Sequence, residues 1–274
     1  MIHRLAVFGH PVAHSLSPRI HAAFGEAAGI DLAYEAIDPT EAAFEARLRS
    51  FLADGALGAN VTLPFKERAW ALVDRREGDA GASGAVNTVH ARRGGAVVGH
   101  NTDGTGLLRD LARLGLDPAG LDVCVLGAGG AVRGVLPALL AARPRSLILV
   151  NRTRRRADEV VAHFRKAASA AGTALAVAAP EEGLARAPAL VLNGTSASLA
   201  GGLPPMPPDL FAAGPLAYDL AYGSDVFTAE ALRRGAARAS DGLGMLVEQA
   251  AAAFEIWFAT RPATEPVLAM LRNR

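Results

Sequence analysis

Two groups of residues in this chain have the type and spacing to do chemistry. The first is the turn Gly127-Ala128-Gly129-Gly130-Ala131, which follows the apolar run Val123 to Leu126 and precedes a helix-like stretch. Glycines in a strand–turn–helix let the backbone approach a pyrophosphate, and the free amides of the helix N-terminus hold the anion. The match to the Gly-x-Gly-x-x-Gly pattern is incomplete, because Val132 stands at the third position. The next strand-like run ends in Asn151-Arg152-Thr153-Arg154-Arg155-Arg156. A site for NAD carries a carboxylate there for the ribose 2′-hydroxyl, roughly 20 residues past the first glycine. Guanidinium groups beside a hydroxyl suit a phosphate dianion instead, so the expected cofactor is NADP. A solvated basic helix start is the alternative. It is disfavoured because arginines at a helix N-terminus oppose the macrodipole unless a phosphate is bound.

A nicotinamide cofactor implies hydride transfer, and hydride transfer at an alcohol carbon needs a group to handle the hydroxyl proton. Lys66 is the candidate. It follows the polar strand end Asn60-Val61-Thr62 and the short loop Leu63-Pro64-Phe65. A lysine held by a carboxylate and partly shielded from water can pass a proton. Taken singly, Lys66 also reads as a surface lysine, Asp103 as a helix cap, and Ser15 with Ser17 as a turn and cap beside Pro18.

Strands and helices must position these groups. Strand-like runs are expected at Leu5 to Gly9, Leu32 to Ile37, Gly58 to Thr62, Ala85 to Val89 and Ala96 to His100, the last two joined by a hairpin turn at Arg92 to Gly95. Further strands are expected at Val123 to Leu126, Ser146 to Val150, Leu175 to Ala178, Leu190 to Asn193 and Leu216 to Asp219. Helices are expected from Pro18 to Ala28, Glu41 to Ala53, Glu67 to Val73, Thr102 or Asp103 to Leu114, Val132 to Ala142 with a kink at Pro137, Arg154 to Ala170, and Met245 to Phe258 as the closing element. Alternation of strand and helix argues for parallel α/β sheets.

The motifs Gly9-His10-Pro11-Val12-Ala13-His14-Ser15-Leu16-Ser17-Pro18, Asn60 to Lys66, Gly84-Ala85-Val86-Asn87-Thr88, Gly99-His100-Asn101-Thr102-Asp103-Gly104, Gly127 to Ala131, Asn151-Arg152-Thr153 and Asp241-Gly242-Leu243-Gly244-Met245-Leu246-Val247-Glu248-Gln249 occur in one order. As a set they resemble the shikimate dehydrogenase family over nearly the whole chain. The resemblance implies reversible, NADPH-dependent reduction of 3-dehydroshikimate to shikimate in aromatic amino-acid biosynthesis, with hydride transfer placed at C4. It implies Lys66 and Asp103 as the catalytic pair. Ser15 and Ser17 would hold the substrate carboxylate, and Asn60, Thr62, Asn87 and Gln249 its hydroxyls. Tyr222 would touch the substrate, and Thr195, Leu220, Gly242 and Met245 would approach the nicotinamide end of the cofactor. Gly127, Ala128, Gly129, Gly130, Ala131, Asn151, Arg152, Thr153 and Arg156 would hold the rest of it. The family often has an acid near position 78, where this chain has Gly78 between Glu77 and Asp79.

The implied architecture is α/β: an N-terminal α/β substrate domain plus a Rossmann-like dinucleotide-binding domain, with a cleft between them. The substrate domain is expected at 1–102 and 241–274 and the NADP domain at 103–240. A length of 274 residues agrees with two domains. With 28 basic and 27 acidic residues the net charge is +1, which suggests neither a nucleic-acid nor a membrane partner. No run approaches the roughly 18–20 apolar residues of a membrane span, and the first residues enter a strand without a signal-like segment, so a cytoplasmic protein is expected. The lone Cys124 lies in an apolar run and reads as core, and no metal site is expected. The partner is a small-molecule substrate, and the oligomeric state is left open, a homodimer included. Three rivals remain at this point: a quinate/shikimate dehydrogenase using NAD, a nucleotide sensor without turnover, and a methylenetetrahydrofolate dehydrogenase. The arginine cluster, the Lys66/Asp103 pair and the Ser-x-Ser-Pro loop count against them in that order.

Overall fold

The structure is a computed structural model and describes residues 2–92 and 94–273. Arg93 of the expected hairpin turn lies outside the described residues, as do Met1 and Arg274 at the ends of the expected substrate domain. In chain order the elements begin with β1 (His3–Phe8), α1 (Ser17–Ala28) and β2 (Leu32–Ile37). A 3-10 turn (Glu41–Ala43) leads into α2 (Phe44–Ala53), followed by β3 (Gly58–Val61), α3 (Lys66–Leu72), β4 (Arg75–Arg76), α4 (Asp79–Ser83), β5 (Thr88–Ala91), β6 (Val97–His100) and α5 (Asp103–Arg113). Then come β7 (Asp122–Leu126), α6 (Gly130–Ala141), β8 (Ser146–Val150), α7 (Arg154–Ala171), β9 (Ala174–Ala178), β10 (Leu190–Asn193) and β11 (Leu216–Asp219). The chain ends with α8 (Val226–Arg233), β12 (Arg238–Ser240), α9 (Leu243–Phe258) and α10 (Glu265–Arg272). Two compact units result, Met1–Leu107 with Leu246–Arg274, and Leu108–Met245.

The sheet of the first unit has the order β2-β1-β3-β5-β6-β4. It is mixed rather than parallel throughout. The first three strands are parallel, but β5 runs antiparallel to both β3 and β6. The short β5–β6 hairpin explains the reversal, because a tight turn can only join antiparallel strands. One side is filled by rings: Phe44 stacks on Phe65 at 4.3 Å, and Phe8 meets Phe51 edge-on at 5.6 Å. On another side His21, Phe24, Phe254 and Trp257 pack together, with the Trp257 indole donating to the Val89 carbonyl at 3.0 Å. Burying such rings removes a large apolar area and anchors the strand ends that carry polar groups.

The sheet of the second unit is parallel throughout, in the order β12-β11-β10-β7-β8-β9. Numbered within the unit, this is the 3-2-1-4-5-6 order of doubly wound nucleotide-binding folds. Its central strands are mostly apolar, with polar residues only at their ends, as a sheet covered on both faces requires. Cys124 lies in that core, fully buried, and burial pushes its thiol up to about 12.

Several expectations need correcting. The chain closes with α10, not with the helix ending at Phe258, and Pro266 sits in the first turn of α10, where its missing N–H is harmless. The elements α4, α8, β4 and β12 fill stretches for which no element was expected. The strand expected from Ala85 begins at Thr88. Helix α6 begins at Gly130, two residues earlier than expected, and carries Pro137 inside it. Among the described residues no helix is long and apolar enough to cross a membrane.

Candidate active site

In the first unit the turn after β3 ends at Lys66, the first residue of α3, and the segment after β6 ends at Asp103, the first residue of α5. The two side chains meet. Lys66 Nζ lies 2.6 Å from Asp103 Oδ2, and the side chains are only 12% and 6% exposed. An ion pair this far out of water interacts more strongly than a surface pair, and its desolvation is tolerable only with further hydrogen bonds. Asn87 supplies one, donating from Nδ2 to the other carboxylate oxygen at 2.8 Å. The start of α5 gives the carboxylate a favourable dipole end as well.

Neither Thr102 nor Asp103 caps α5 with its side chain. The Asp103 N–H is instead held by Asn101 Oδ1 at 3.0 Å, and Asn101 Nδ2 donates to the Ala85 carbonyl at 2.9 Å. This leaves the Asp103 carboxylate for Lys66 and Asn87, and the Thr102 hydroxyl for the cluster around them. The Thr102 N–H donates to Asn87 Oδ1 at 2.9 Å. Asn87 Nδ2 has two hydrogens for three acceptors in reach: Asp103, Thr102 Oγ1 at 2.9 Å and Gln249 Oε1 at 3.2 Å. The Thr102 hydroxyl is also 3.3 Å from Gln249 Oε1, and Gln249 Nε2 is tied to the Leu246 carbonyl of its own helix. Thr88 donates to Asn87 Oδ1 at 2.9 Å, and Asn60 Nδ2 donates to Thr88 Oγ1 at 3.0 Å and to the Asn87 carbonyl at 3.1 Å. Lys66, Asp103, Asn60, Asn87 and Gln249 are therefore one hydrogen-bonded group.

The loop between β1 and α1 carries Ser15, half-buried, and Ser17, buried, with the Ser17 N–H donating to Ser15 Oγ at 3.2 Å. Thr62 is half-buried at the end of β3. Tyr34, from the middle of β2, donates its phenol to Asn60 Oδ1 at 2.7 Å. Burial first of all pushes the Tyr34 phenol well above its ordinary range. Under it, His21 is fully buried, and that burial holds the imidazole neutral, pushing it down to about 3.

In the second unit the turn 127–131 joins β7 to α6, beside the point where the strand order reverses between β7 and β10. Ligands of open α/β sheets bind outside the strand ends at such a point. Gly127 has φ +110 and would bring a Cβ to 3.1 Å from the Thr195 methyl, so the turn requires glycine. No side chain caps the start of α6 at Gly129, and no acidic residue stands in its first turn. Those amides remain available to an anion. At the end of β8, Asn151 Nδ2 holds the Thr153 carbonyl at 2.9 Å. Arg154 and Arg155 face Asp158 and Glu159 one turn on, at 3.7 and 3.3 Å, while exposed Arg152 and Arg156 have no ion pair among the described residues.

The other residues expected on the cofactor side lie at the ends of β10 and β11 and the start of α9. Thr195 is fixed through its N–H and its hydroxyl to Asn193 Oδ1, at 3.1 and 2.8 Å. The Leu220 N–H donates to the Asn193 carbonyl at 2.8 Å. Asp219, register partner of Asn193, accepts from the Ala221 N–H and the Ser198 hydroxyl, and burial raises its carboxyl above the usual range. Tyr222 is half-buried in the loop that follows. A Cβ at Gly242 would stand 2.3 Å from the Leu220 carbonyl oxygen, so only glycine allows this approach; Met245, further along in the first turn of α9, is buried.

The sequence alone did not single out Tyr34, Thr88 or Asn101 for the site, and it offered Thr102 or Asp103 as a helix cap. Thr88, Asn101 and Thr102 stand inside the motifs, close beside Asn87 and Asp103 in the chain, and that adjacency was an available signal. Tyr34 had none beyond its place in an alternating strand.

Comparison with known proteins agrees over the whole length. The model of the shikimate dehydrogenase substrate binding domain matches residues 7–89, that of shikimate/quinate 5-dehydrogenase residues 110–187, and that of the shikimate 5′-dehydrogenase C-terminal domain residues 242–272. The chain is 49% identical to the shikimate dehydrogenase (NADP(+)) of Alkalilimnicola ehrlichii, over 99% of both chains. An Ael1 enzyme from Pseudomonas putida has a similar structure (TM-score 0.89, 40% identity, 98% of both chains). So has the shikimate 5-dehydrogenase of Thermus thermophilus, solved in complex with NADP(H) and shikimate (TM-score 0.85, 36% identity, 99% of both chains). On identity, coverage and fold together, the chain belongs to the shikimate dehydrogenase family.

Proposed function

We propose that this chain interconverts 3-dehydroshikimate and shikimate with NADP(H) in the cytoplasm, and that Lys66 and Asp103 are its catalytic pair. The observation that carries this reading is the 2.6 Å Lys66–Asp103 contact, nearly closed to water and braced by Asn87. The substrate is a small polyhydroxylated anion. Ser15 and Ser17 would bind its carboxylate, and Asn60, Thr62, Asn87 and Gln249 its hydroxyls, with Tyr222 a further contact. Buried amides and hydroxyls of this kind discriminate well, because an analogue lacking a hydroxyl leaves them unpaired.

The second unit suits NADP. The uncapped amides of α6 beyond Gly127, Ala128, Gly129, Gly130 and Ala131 fit a pyrophosphate, and Arg152, Thr153 and Arg156 fit a 2′-phosphate beside Asn151. Thr195, Leu220, Gly242 and Met245 would adjoin the nicotinamide, which when bound supplies the hydride. The ketone of 3-dehydroshikimate is at C3 by its name, so the carbon reduced is C3; the C4 placement taken from the resemblance is corrected accordingly. Lys66 then gives its proton to the oxygen forming the new alcohol, and Asp103 holds the ammonium in place. The proton lost by Lys66 is replaced from solvent, which its partly exposed side chain reaches.

The test is absorbance at the NADPH band with shikimate and NADP, then with NAD, then with quinate in place of shikimate. Rapid reduction of NADP by shikimate, with little from NAD or from quinate, is the expected result. No reduction by any pair, in protein shown to bind NADP, would sink the reading.

A further inference from the structure

A chain of hydrogen bonds in the first unit runs head to tail. The Tyr34 phenol donates to Asn60 Oδ1 at 2.7 Å, Asn60 Nδ2 to Thr88 Oγ1 at 3.0 Å, the Thr88 hydroxyl to Asn87 Oδ1 at 2.9 Å, and Asn87 Nδ2 to Asp103 Oδ1 at 2.8 Å. We propose that Tyr34 is a positioning residue for substrate, the anchor of a directed hydrogen-bond chain that fixes the Asn60 amide and ends on the Asp103 carboxylate. The inference rests on the functional reading above and extends it to a residue with no part in the chemistry itself.

Asn60 is nearly buried, and both of its amide hydrogens are taken, by Thr88 and by the Asn87 carbonyl. Its carbonyl oxygen points at the phenol and keeps one lone pair for a substrate hydroxyl. The Asn87 carbonyl, which can only accept, fixes which end of the amide is Nδ2, and the Tyr34 phenol holds the acceptor end in one direction. Donors and acceptors aligned head to tail polarise one another, so the first member affects the last. The ring is held from behind: His21 stacks on it at 4.4 Å with the planes 8° apart. A neutral imidazole can lie there without opposing the cationic Lys66.

The experiment is Tyr34→Phe, which removes one oxygen and keeps the stack on His21. The KM for shikimate is expected to rise about tenfold, as for loss of one buried hydrogen bond, with kcat and the KM for NADP within about threefold. In an Asn60→Ala background the same substitution is expected to add less than about twofold, because its route to substrate is already gone. A shikimate KM unchanged by Tyr34→Phe overturns the proposal. So does a rise that persists undiminished beside Asn60→Ala, since that is general loosening. If Tyr34→Phe does not fold, 3,5-difluorotyrosine placed at position 34 alone keeps the shape and strengthens the donor. A shift of about twofold or more in shikimate KM then supports the proposal, and no shift overturns it. The unsubstituted protein is the reference arm, and its failure to oxidise shikimate would count against the function, not against the anchor.

Discussion

Around Asn87 the polar side chains Asn60, Thr88, Thr102, Asp103 and Gln249 are each already hydrogen-bonded to one another, and most are buried. Around Gly129 the polar groups are of another kind: uncapped helix amides, and the exposed guanidinium groups of Arg152 and Arg156 without ion pairs among the described residues. The first arrangement is hydrogen-bonded before ligand arrives, and on the proposed function it would read a small molecule through the few donor and acceptor positions it leaves open. The second relies on charge and backbone and suits a polyanion that brings its own strong acceptors. A built side-chain network should therefore respond to single substitutions through turnover and substrate KM. An electrostatic cradle should respond through cofactor KM and through salt, which screens exposed charges within about 8–10 Å at physiological ionic strength.

The sharpest way to separate the two regions is Lys66→Ala. Loss of a positioned proton donor is expected to lower kcat by about 10²–10⁴-fold. The dissociation constant for NADP, measured by quenching of protein fluorescence, should stay within about twofold, because the substitution leaves the amides and arginines of the second unit in place. Equal losses in both quantities would break the comparison, since the two regions would then not act as separate devices.

Next in size are the arginines. Arg152→Ala and Arg156→Ala are each expected to raise the KM for NADP by about 10–100-fold, the worth of a charge-assisted hydrogen bond, and to leave any turnover with NAD unchanged. Arg154→Ala and Arg155→Ala should change it by less than about threefold, because these side chains are engaged with Asp158 and Glu159 and point away along the helix. Steady-state kinetics at low and high salt checks this. Equal effects from all four substitutions would mean that the cradle works as a diffuse field rather than through two specific contacts.

The same contrast governs how much was legible in the sequence. The second unit was read closely: β8, β10 and β11 have the bounds expected from their apolar runs, and the glycine turn and arginines lie at the strand ends where the pattern put them. Local chemistry suffices there, since a parallel strand buried on both faces and a glycine turn are each visible within a few residues. The missed elements are short ones that depend on neighbours: β12 has three residues and pairs only with β11, and α10 has eight and follows a loop. In the first unit the candidate residues were nameable from motif order, but their wiring was not. Asn87 and Gln249 are 162 positions apart and meet only after folding. Thr102 looked like a cap because Ser, Thr and Asp before a helix usually are. Asn101 took that part instead and released Thr102 to the network.

The last expected effect concerns stability, and it tests whether the first unit is acid-sensitive. His21 is fully buried and neutral, held down to about 3 against an ordinary value of 6.5. Below pH 6.5 the unfolded chain binds a proton there that the folded chain refuses, so the stability is present above that pH and is lost as pH falls toward 3. The slope approaches about 1.4 kcal/mol per pH unit, which is about 2 kcal/mol between pH 7 and pH 5. Trp70 and Trp257 are the two tryptophans of the chain and both lie in the first unit, so fluorescence-monitored urea unfolding follows that unit. His21→Gln will be less stable at every pH because the ring stack is lost, yet its stability should fall less between pH 7 and pH 5 by about 2 kcal/mol. His90 and His100, whose burial also lowers them, titrate alike in both proteins and cancel in the difference. Parallel pH profiles for the two proteins would mean that water or a donor reaches the His21 ring, and the closed, pre-built character assigned to this unit would fail with it.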